Sequence, residues 1–193
     1  MGLGNRKSLP LWKSKYILWI ILMLPGGLTI QGILTGSLMY SDLMHVSGEL
    51  SGKFLTFSLI ATPLAMLLPN AKFPKWLIRN KRYFGVAAFI YAFYHVLVYL
   101  IKTSVSQIMN EWFQFSFLTA WISFIIWIPM AITSTDSWVL RLKSSWKKIH
   151  NWGYLAALLA FLHWSLIHYH WQPMLLHAAP VILLQSYRWI VHR

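Results

Sequence analysis

The stretch Lys81-Arg82-Tyr83-Phe84-Gly85-Val86-Ala87-Ala88-Phe89-Ile90-Tyr91-Ala92-Phe93-Tyr94-His95-Val96-Leu97-Val98-Tyr99-Leu100-Ile101-Lys102 decides the fold. Cations stand at both ends, and the 19 residues at 83–101 hold no Asp, Glu, Lys or Arg. About 20 apolar residues is the length a helix needs to cross the roughly 30 Å hydrocarbon core of a bilayer. Comparable blocks occupy 16–34, 50–68, 115–131, 149–167 and 174–191. The expectation is an all-α polytopic membrane bundle of six transmembrane helices, with residues 1–193 forming one transmembrane domain. Helices are the economical choice because each satisfies its own backbone hydrogen bonds inside lipid. Pro25-Gly26-Gly27, Pro63, Pro129 and Pro180 fall inside blocks, where each removes a helix hydrogen bond and favours a kink.

Composition agrees. Of 193 residues, 58% are hydrophobic and 11% charged, whereas soluble domains carry about a quarter charged residues. A net charge of +13 on a soluble chain would suggest nucleic acid. Here the basic residues cluster between apolar blocks, which points to membrane orientation and to no nucleic-acid partner. The basic and then apolar start resembles a signal peptide, but its small-residue cleavage pattern is weak, and the segment reads as a retained first helix. Cysteine is absent, which excludes disulfides, thiolate catalysis and cysteine-ligated iron–sulfur or zinc sites. No GxGxxG or Walker loop is present, so nucleotide chemistry would belong to another protein.

The cations alternate with the blocks. Arg6, Lys7, Lys13 and Lys15 precede the first; Lys72, Lys75, Arg79, Lys81 and Arg82 follow the second; Arg141, Lys143, Lys147 and Lys148 follow the fourth; Arg188 and Arg193 end the chain. Only Lys53 and Lys102 fall on the opposite side, with the acids Asp42, Glu49 and Glu111. The positive-inside rule then puts the N- and C-termini in the cytoplasm.

Ionisable residues inside a span are costly and are functional candidates by default. His95 and His163 lie well inside blocks three and five, while His150 lies at the inner start of block five. His95 is 13 residues beyond Arg82, and His163 is 13 beyond His150. At roughly 1.5 Å per residue each pair is separated by about 20 Å, so His95 and His163 sit at similar depth, nearer the outer face. On neighbouring helices, two imidazoles would clamp one heme iron from both sides, an arrangement for electron transfer without oxygen binding. His150 and His163 would place ligands at two depths, as two stacked hemes require. The inner level of block three offers Arg82 and Tyr83 rather than a histidine, so an inner heme would lack an identified second ligand. Arg82 could pair with a heme propionate. The alternative for each histidine is a hydrogen bond across a helix interface. His45, His168, His170 and His177 gather at the outer face, as snorkelling surface residues or as a metal site, and His192 is inner surface. Trp12, Trp76, Trp112, Trp138, Trp146, Trp171 and Trp189 fit aromatic belts near span ends. Trp121, Trp127, Trp152 and Trp164 lie deeper, packing against lipid or helices or flanking a porphyrin.

Several motifs, taken in order, resemble the ferric reductase-like transmembrane family, and within it the heme-binding membrane subunits of periplasmic methionine sulfoxide reductase systems. They are His45-Val46-Ser47-Gly48, Thr62-Pro63-Leu64, Lys81-Arg82-Tyr83-Phe84-Gly85, Tyr91-Ala92-Phe93-Tyr94-His95, Ala131-Ile132-Thr133-Ser134, and Trp146-Lys147-Lys148-Ile149-His150-Asn151 followed by Tyr154 and His163. They cover about two thirds of the chain, and their shared order and spacing carry the likeness. The resemblance implies a single six-helix ferric reductase-like transmembrane domain in the bacterial inner membrane, binding one or two b-type hemes, with His95, His150 and His163 as ligands. It implies electrons taken from quinol or a cytoplasmic flavin reductase, an association with FMN, and delivery to a periplasmic molybdopterin subunit (MsrP-like) that reduces methionine sulfoxide. The chain itself would be the non-catalytic electron-transfer subunit. The chain departs from the family around Lys143-Ser144, where a glycine is usual a few residues before the tryptophan of helix five, and at His168 and His170. Two other readings stand beside this one: a membrane cytochrome with another acceptor, such as external iron chelates, and a non-redox scaffold or transporter with structural histidines.

Overall fold

The structure is a computed structural model that describes residues 14–167 and 171–191. His168, His170 and His192 lie outside the described residues, as do Arg6, Lys7, Trp12, Lys13 and Arg193. Nine helices follow one another among the described residues: α1 (Lys15–Leu34), α2 (Tyr40–Leu67), α3 (Lys72–Lys102), α4 (Val105–Glu111), α5 (Phe115–Ile132), α6 (Asp136–Leu142), α7 (Ser144–Asn151), α8 (Gly153–Ile167) and α9 (Gln172–Val191). Five of them, α1, α2, α3, α5 and α9, are long and apolar enough to cross a membrane. With their apolar flanks exposed, as at Ile20, Leu24 and Ile182, this is a multi-pass membrane protein.

Three boundaries differ from the sequence reading. α2 begins ten residues earlier than expected and α3 eleven earlier. The early turns are amphipathic: Leu43 and Ser47 are buried in α2, and Leu77 is fully buried in α3. Pro74 does not stop α3 because it sits in the first turn, where its missing N–H would have no partner anyway. The expected fifth span breaks at Trp152, which separates the polar α7 from the 15-residue apolar α8. Trp152, at the break, is 59% exposed on the bundle surface.

Helix ends follow local chemistry. Gly36, at φ +71°, closes α1, with the Ser37 N–H donating to the Gly32 carbonyl at 2.8 Å. The left-handed conformation favours glycine at this position. The Asp42 carboxylate accepts from the Met39 N–H at 2.8 Å and starts α2. Ser104 caps α4 by accepting from Gln107.

α2 packs along α3, α5 along α8, and α9 along α2. Small residues allow this approach, as expected where helices meet without a hydrophobic driving force. Ala88, Ala156, Ala157 and Ala178 are buried with Leu55, Trp127 and Phe161 in one core, while Leu18, Leu22, Ala61, Leu77, Phe84 and Ala87 form a second. Side chains donate across the interfaces to neighbouring carbonyls: Ser51 to Ala88 at 2.9 Å, Ser123 to Ala156 at 2.8 Å, and Gln185 to Leu59 at 2.7 Å.

α1 is fastened at its proline. The Tyr91 hydroxyl of α3 accepts from the Gly26 N–H at 2.8 Å and donates to the Leu22 carbonyl at 2.9 Å. It bridges the two groups that an undisturbed helix would join directly, one residue after Pro25.

Candidate functional site

A cavity of about 500 Å³ opens among α2, α3, α5 and α8, lined chiefly by apolar and aromatic side chains. Sites for cofactor-sized ligands typically measure roughly 300–1,000 Å³. His95 lines it from α3 and His163 from α8, beside Trp121, Trp127 and Trp164. The structure thus brings together the two histidines that depth counting paired.

Each ring is held from behind by a backbone carbonyl. His95 Nδ1 lies 2.9 Å from the Met44 carbonyl, and His163 Nδ1 lies 2.8 Å from the Ser116 carbonyl. A carbonyl can only accept, so each Nδ1 carries the proton and the lone pair resides on Nε2. This second contact orients a metal-ligating imidazole and fixes its tautomer. α2 makes room for the rings. A Cβ added at Gly48 would stand 3.2 Å from His95 Nδ1, and one at Gly52 would stand 2.6 Å from the Trp164 ring. An apolar, aromatic-walled cavity with two imidazoles of this tautomer suits a flat macrocycle whose metal takes nitrogen donors.

The structure does not bring His150 to this cavity. His150 lies on α7, ahead of α8, stacked on Trp146 with ring centroids 4.0 Å apart. Its Nε2 is 3.2 Å from the Thr133 hydroxyl. That hydroxyl donates to the Pro129 carbonyl at 2.7 Å, so it accepts from His150 Nε2, the reverse of the tautomer at His95 and His163. Trp146 Nε1 donates to the Thr133 carbonyl at 2.9 Å, tying α7 to the end of α5. Burial, with the nearby Arg82 and Lys81 cations, pushes the His150 pKa down to about 4, so the ring is neutral at neutral pH. Arg82 donates to the Asp136 carboxylate and to the Ser134 carbonyl. Arg82 and His150 thus share one end of α5, and His95 and His163 the other.

The remaining histidines divide. His45 lines the mouth of the main cavity and lies 3.9 Å from the Glu49 carboxylate, which also holds Lys53 at 2.8 Å. His177 stacks on Trp164 at 5.5 Å. Among the described residues, no three His, Asp or Glu side chains are grouped to hold a bare metal ion.

The family described as Ferric reductase like transmembrane component matches residues 47–161. The protein-methionine-sulfoxide reductase heme-binding subunit MsrQ of Xanthomonas oryzae pv. oryzae (strain MAFF 311018) is 34% identical over 155 residues, which cover 77% of this chain and 68% of that protein. The MsrQ of Pectobacterium carotovorum subsp. carotovorum (strain PC1) is 35% identical over 150 residues, 74% of this chain and 73% of its own. The chain belongs to the MsrQ group of the ferric reductase-like transmembrane family. No solved structure matches it.

Within this chain the family match takes in Arg82, His95 and His150 and ends two residues before His163. Reading the sequence alone named Ser47 and Gly48 only within a motif and passed over Ser51 and Gly52; the four form one small-residue face of α2 toward the cavity and α3. Their spacing of four is the signal that would have found them. It named Thr133 only within a motif and passed over Asp136; the roles of both depend on the turn joining α5 to α6.

Proposed function

We propose that this chain is the heme-bearing electron-transfer subunit of a methionine sulfoxide reductase system. The observation that carries the reading is the pairing of His95 and His163 on one apolar cavity, each with its Nδ1 proton donated to a backbone carbonyl. The relatives' description as heme-binding subunits of such a system supports it.

In this reading His95 and His163 hold the iron of a b-type heme through Nε2. The bound group supplies reversible one-electron chemistry at that iron. Trp121, Trp127 and Trp164 exclude water from its faces, while Met44 and Ser116 keep the imidazoles in register through their carbonyls. His150 and Arg82, at the opposite end of α5, mark the side on which electrons arrive from quinol or a flavin-bearing reductase. The acceptor is a periplasmic molybdopterin subunit of the MsrP type. α8 serves as the sixth span, supported by its apolar sequence. The termini lie in the cytoplasm of a bacterium whose inner membrane holds the chain, supported by the cations flanking α1, α3 and α8. Residues 1–193 act as one domain.

The test is repair of methionine sulfoxide in envelope proteins, measured in cells carrying this chain and a candidate MsrP-type subunit. Repair lost with His95→Ala, and equally on deletion of that subunit, supports the reading. Repair undiminished by His95→Ala overturns it. The second reading, another acceptor such as an iron chelate, draws on the family description, and predicts that chelate reduction persists without the MsrP-type subunit.

A further inference from the structure

A second cavity of about 500 Å³, lined by none of the described histidines, lies where α1 and α3 begin. Leu18 forms its floor with Trp76, and Lys72, Lys75, Arg79 and Asn80 form its rim. Leu18 is buried and the three cations are exposed. Among the described residues, no carboxylate lines this cavity. The chain's four acids are Asp42, Glu49, Glu111 and Asp136, and the ion pairs among the described residues use Arg82, Lys53 and His45 instead. Residues 1–13 add Arg6, Lys7 and Lys13 and no acid, so that segment can only raise the positive charge. Among the described residues, three cations thus line one pocket with no carboxylate beside them, a positive potential that attracts an anion.

Two features select the anion. The Leu18 floor adjoins the apolar flank of α1 at Ile21, about 60° round the helix from Leu18 and 59% exposed. In a membrane-spanning helix that flank meets acyl chains. Trp76, which stacks on Phe73 at 6.1 Å, lines the same pocket as Leu18 and the cations, as suits an interfacial tryptophan. A ligand that fills the pocket therefore carries a phosphate at one end and hydrocarbon at the other. We propose that this pocket is a binding site for the phosphodiester headgroup of an anionic phospholipid, with Lys72, Lys75 and Arg79 on the phosphate and the acyl chains along α1. Basic pockets between membrane helices recognise lipid headgroups through this chemistry.

The experiment is native mass spectrometry of the full chain in detergent, titrated with dioleoylphosphatidylglycerol or dioleoylphosphatidylcholine. Lys72→Gln/Lys75→Gln/Arg79→Gln is compared with a control that removes three cations elsewhere, Arg141→Gln/Lys147→Gln/Lys148→Gln. Each cation near an anionic headgroup contributes roughly a fivefold gain, so the first variant should weaken phosphatidylglycerol binding roughly a hundredfold. The control should bind as the unaltered chain does, and Lys72→Arg/Lys75→Arg/Arg79→Lys should keep the affinity. Phosphatidylcholine should bind no more tightly to the unaltered chain than to the triple Gln variant. Equal phosphatidylglycerol binding by the unaltered chain and the triple Gln variant overturns the site. Displacement of the lipid by millimolar inorganic phosphate overturns the lipid assignment and makes this a site for free phosphate compounds.

Discussion

His95 on α3 and Gly48 on α2 meet so closely that a Cβ at position 48 would stand 3.2 Å from His95 Nδ1. The Met44 carbonyl, one turn earlier on α2, lies 2.9 Å from the same nitrogen. α2 therefore sets the position of the candidate iron ligand twice, by the side chain it lacks and by the carbonyl it presents.

Substitution at Gly48 should act through His95. In Gly48→Ala the imidazole must shift by a few tenths of an ångström relative to the Met44 carbonyl that orients it, and a change of that size already alters contact energies. Heme content should fall partly, with an altered spectrum. Gly48→Leu should lower heme per chain to the level of His95→Ala. A fully loaded Gly48→Leu protein would separate His95 from heme binding.

The Tyr91 bridge predicts a measurable cost at α1. Tyr91→Phe removes a hydroxyl that joins the Gly26 N–H to the Leu22 carbonyl. Hydrogen bonds between membrane helices are worth about 1 kcal/mol, and that loss corresponds to about 2–4 °C in Tm for a chain of this size. A thermal melt in detergent that leaves Tm unchanged would show that the α1 ladder closes by itself.

Lys143, joining α6 to α7, is the one non-glycine residue at positive φ among the described residues, with φ +49° and ψ −118°. That conformation favours glycine and stores strain in a side-chain-bearing residue. Lys143→Gly should relieve it, less the entropy glycine loses on folding, for a net gain of about 1 kcal/mol and about 2–4 °C in Tm. A lower Tm would contradict the strain.

His150 should make stability depend on pH. Its folded pKa of about 4 lies below the ordinary value near 6.5. The unfolded chain therefore binds a proton that the folded chain refuses as pH falls through this interval. The contribution is complete above pH 6.5, declines below it, and is lost by about pH 4. With screening of the partly exposed ring, the loss by pH 5 is about 1 kcal/mol. Thermal melts at pH 7.5 and 5 should show a smaller acid-induced fall in Tm for His150→Gln than for the unaltered chain. Equal falls would refute the depressed pKa.

Apolar block length located the five helices long and apolar enough to cross a membrane, because lipid permits little else at that length and hydropathy. It did not locate their amphipathic extensions. In 40–49 and 72–82, buried Leu43, Ser47 and Leu77 alternate with polar and charged groups, so a window that averages hydropathy reads these turns as loops. The pairing of His95 with His163 was legible because equal rise along two helices running the same way gives equal depth. The separation of His150 was not. On an unbroken helix 13 residues would leave His150 and His163 about 140° apart. The break at Trp152 instead lets both rings reach α5, His163 at Ser116 and His150 at the Thr133 cap. That break depends on contacts such as Trp146 with Thr133, which join residues remote in sequence.

The central claim rests on His95 and His163 binding one heme iron between them. The measurement that tests it most directly is the reduced-minus-oxidised visible spectrum of the detergent-purified chain, with heme quantified per chain, for the unaltered protein, His95→Ala and His163→Ala. A sharp b-type spectrum that disappears in both variants is the expected result. A heme-free unaltered chain despite ample heme supply, or a full spectrum in both variants, would contradict it.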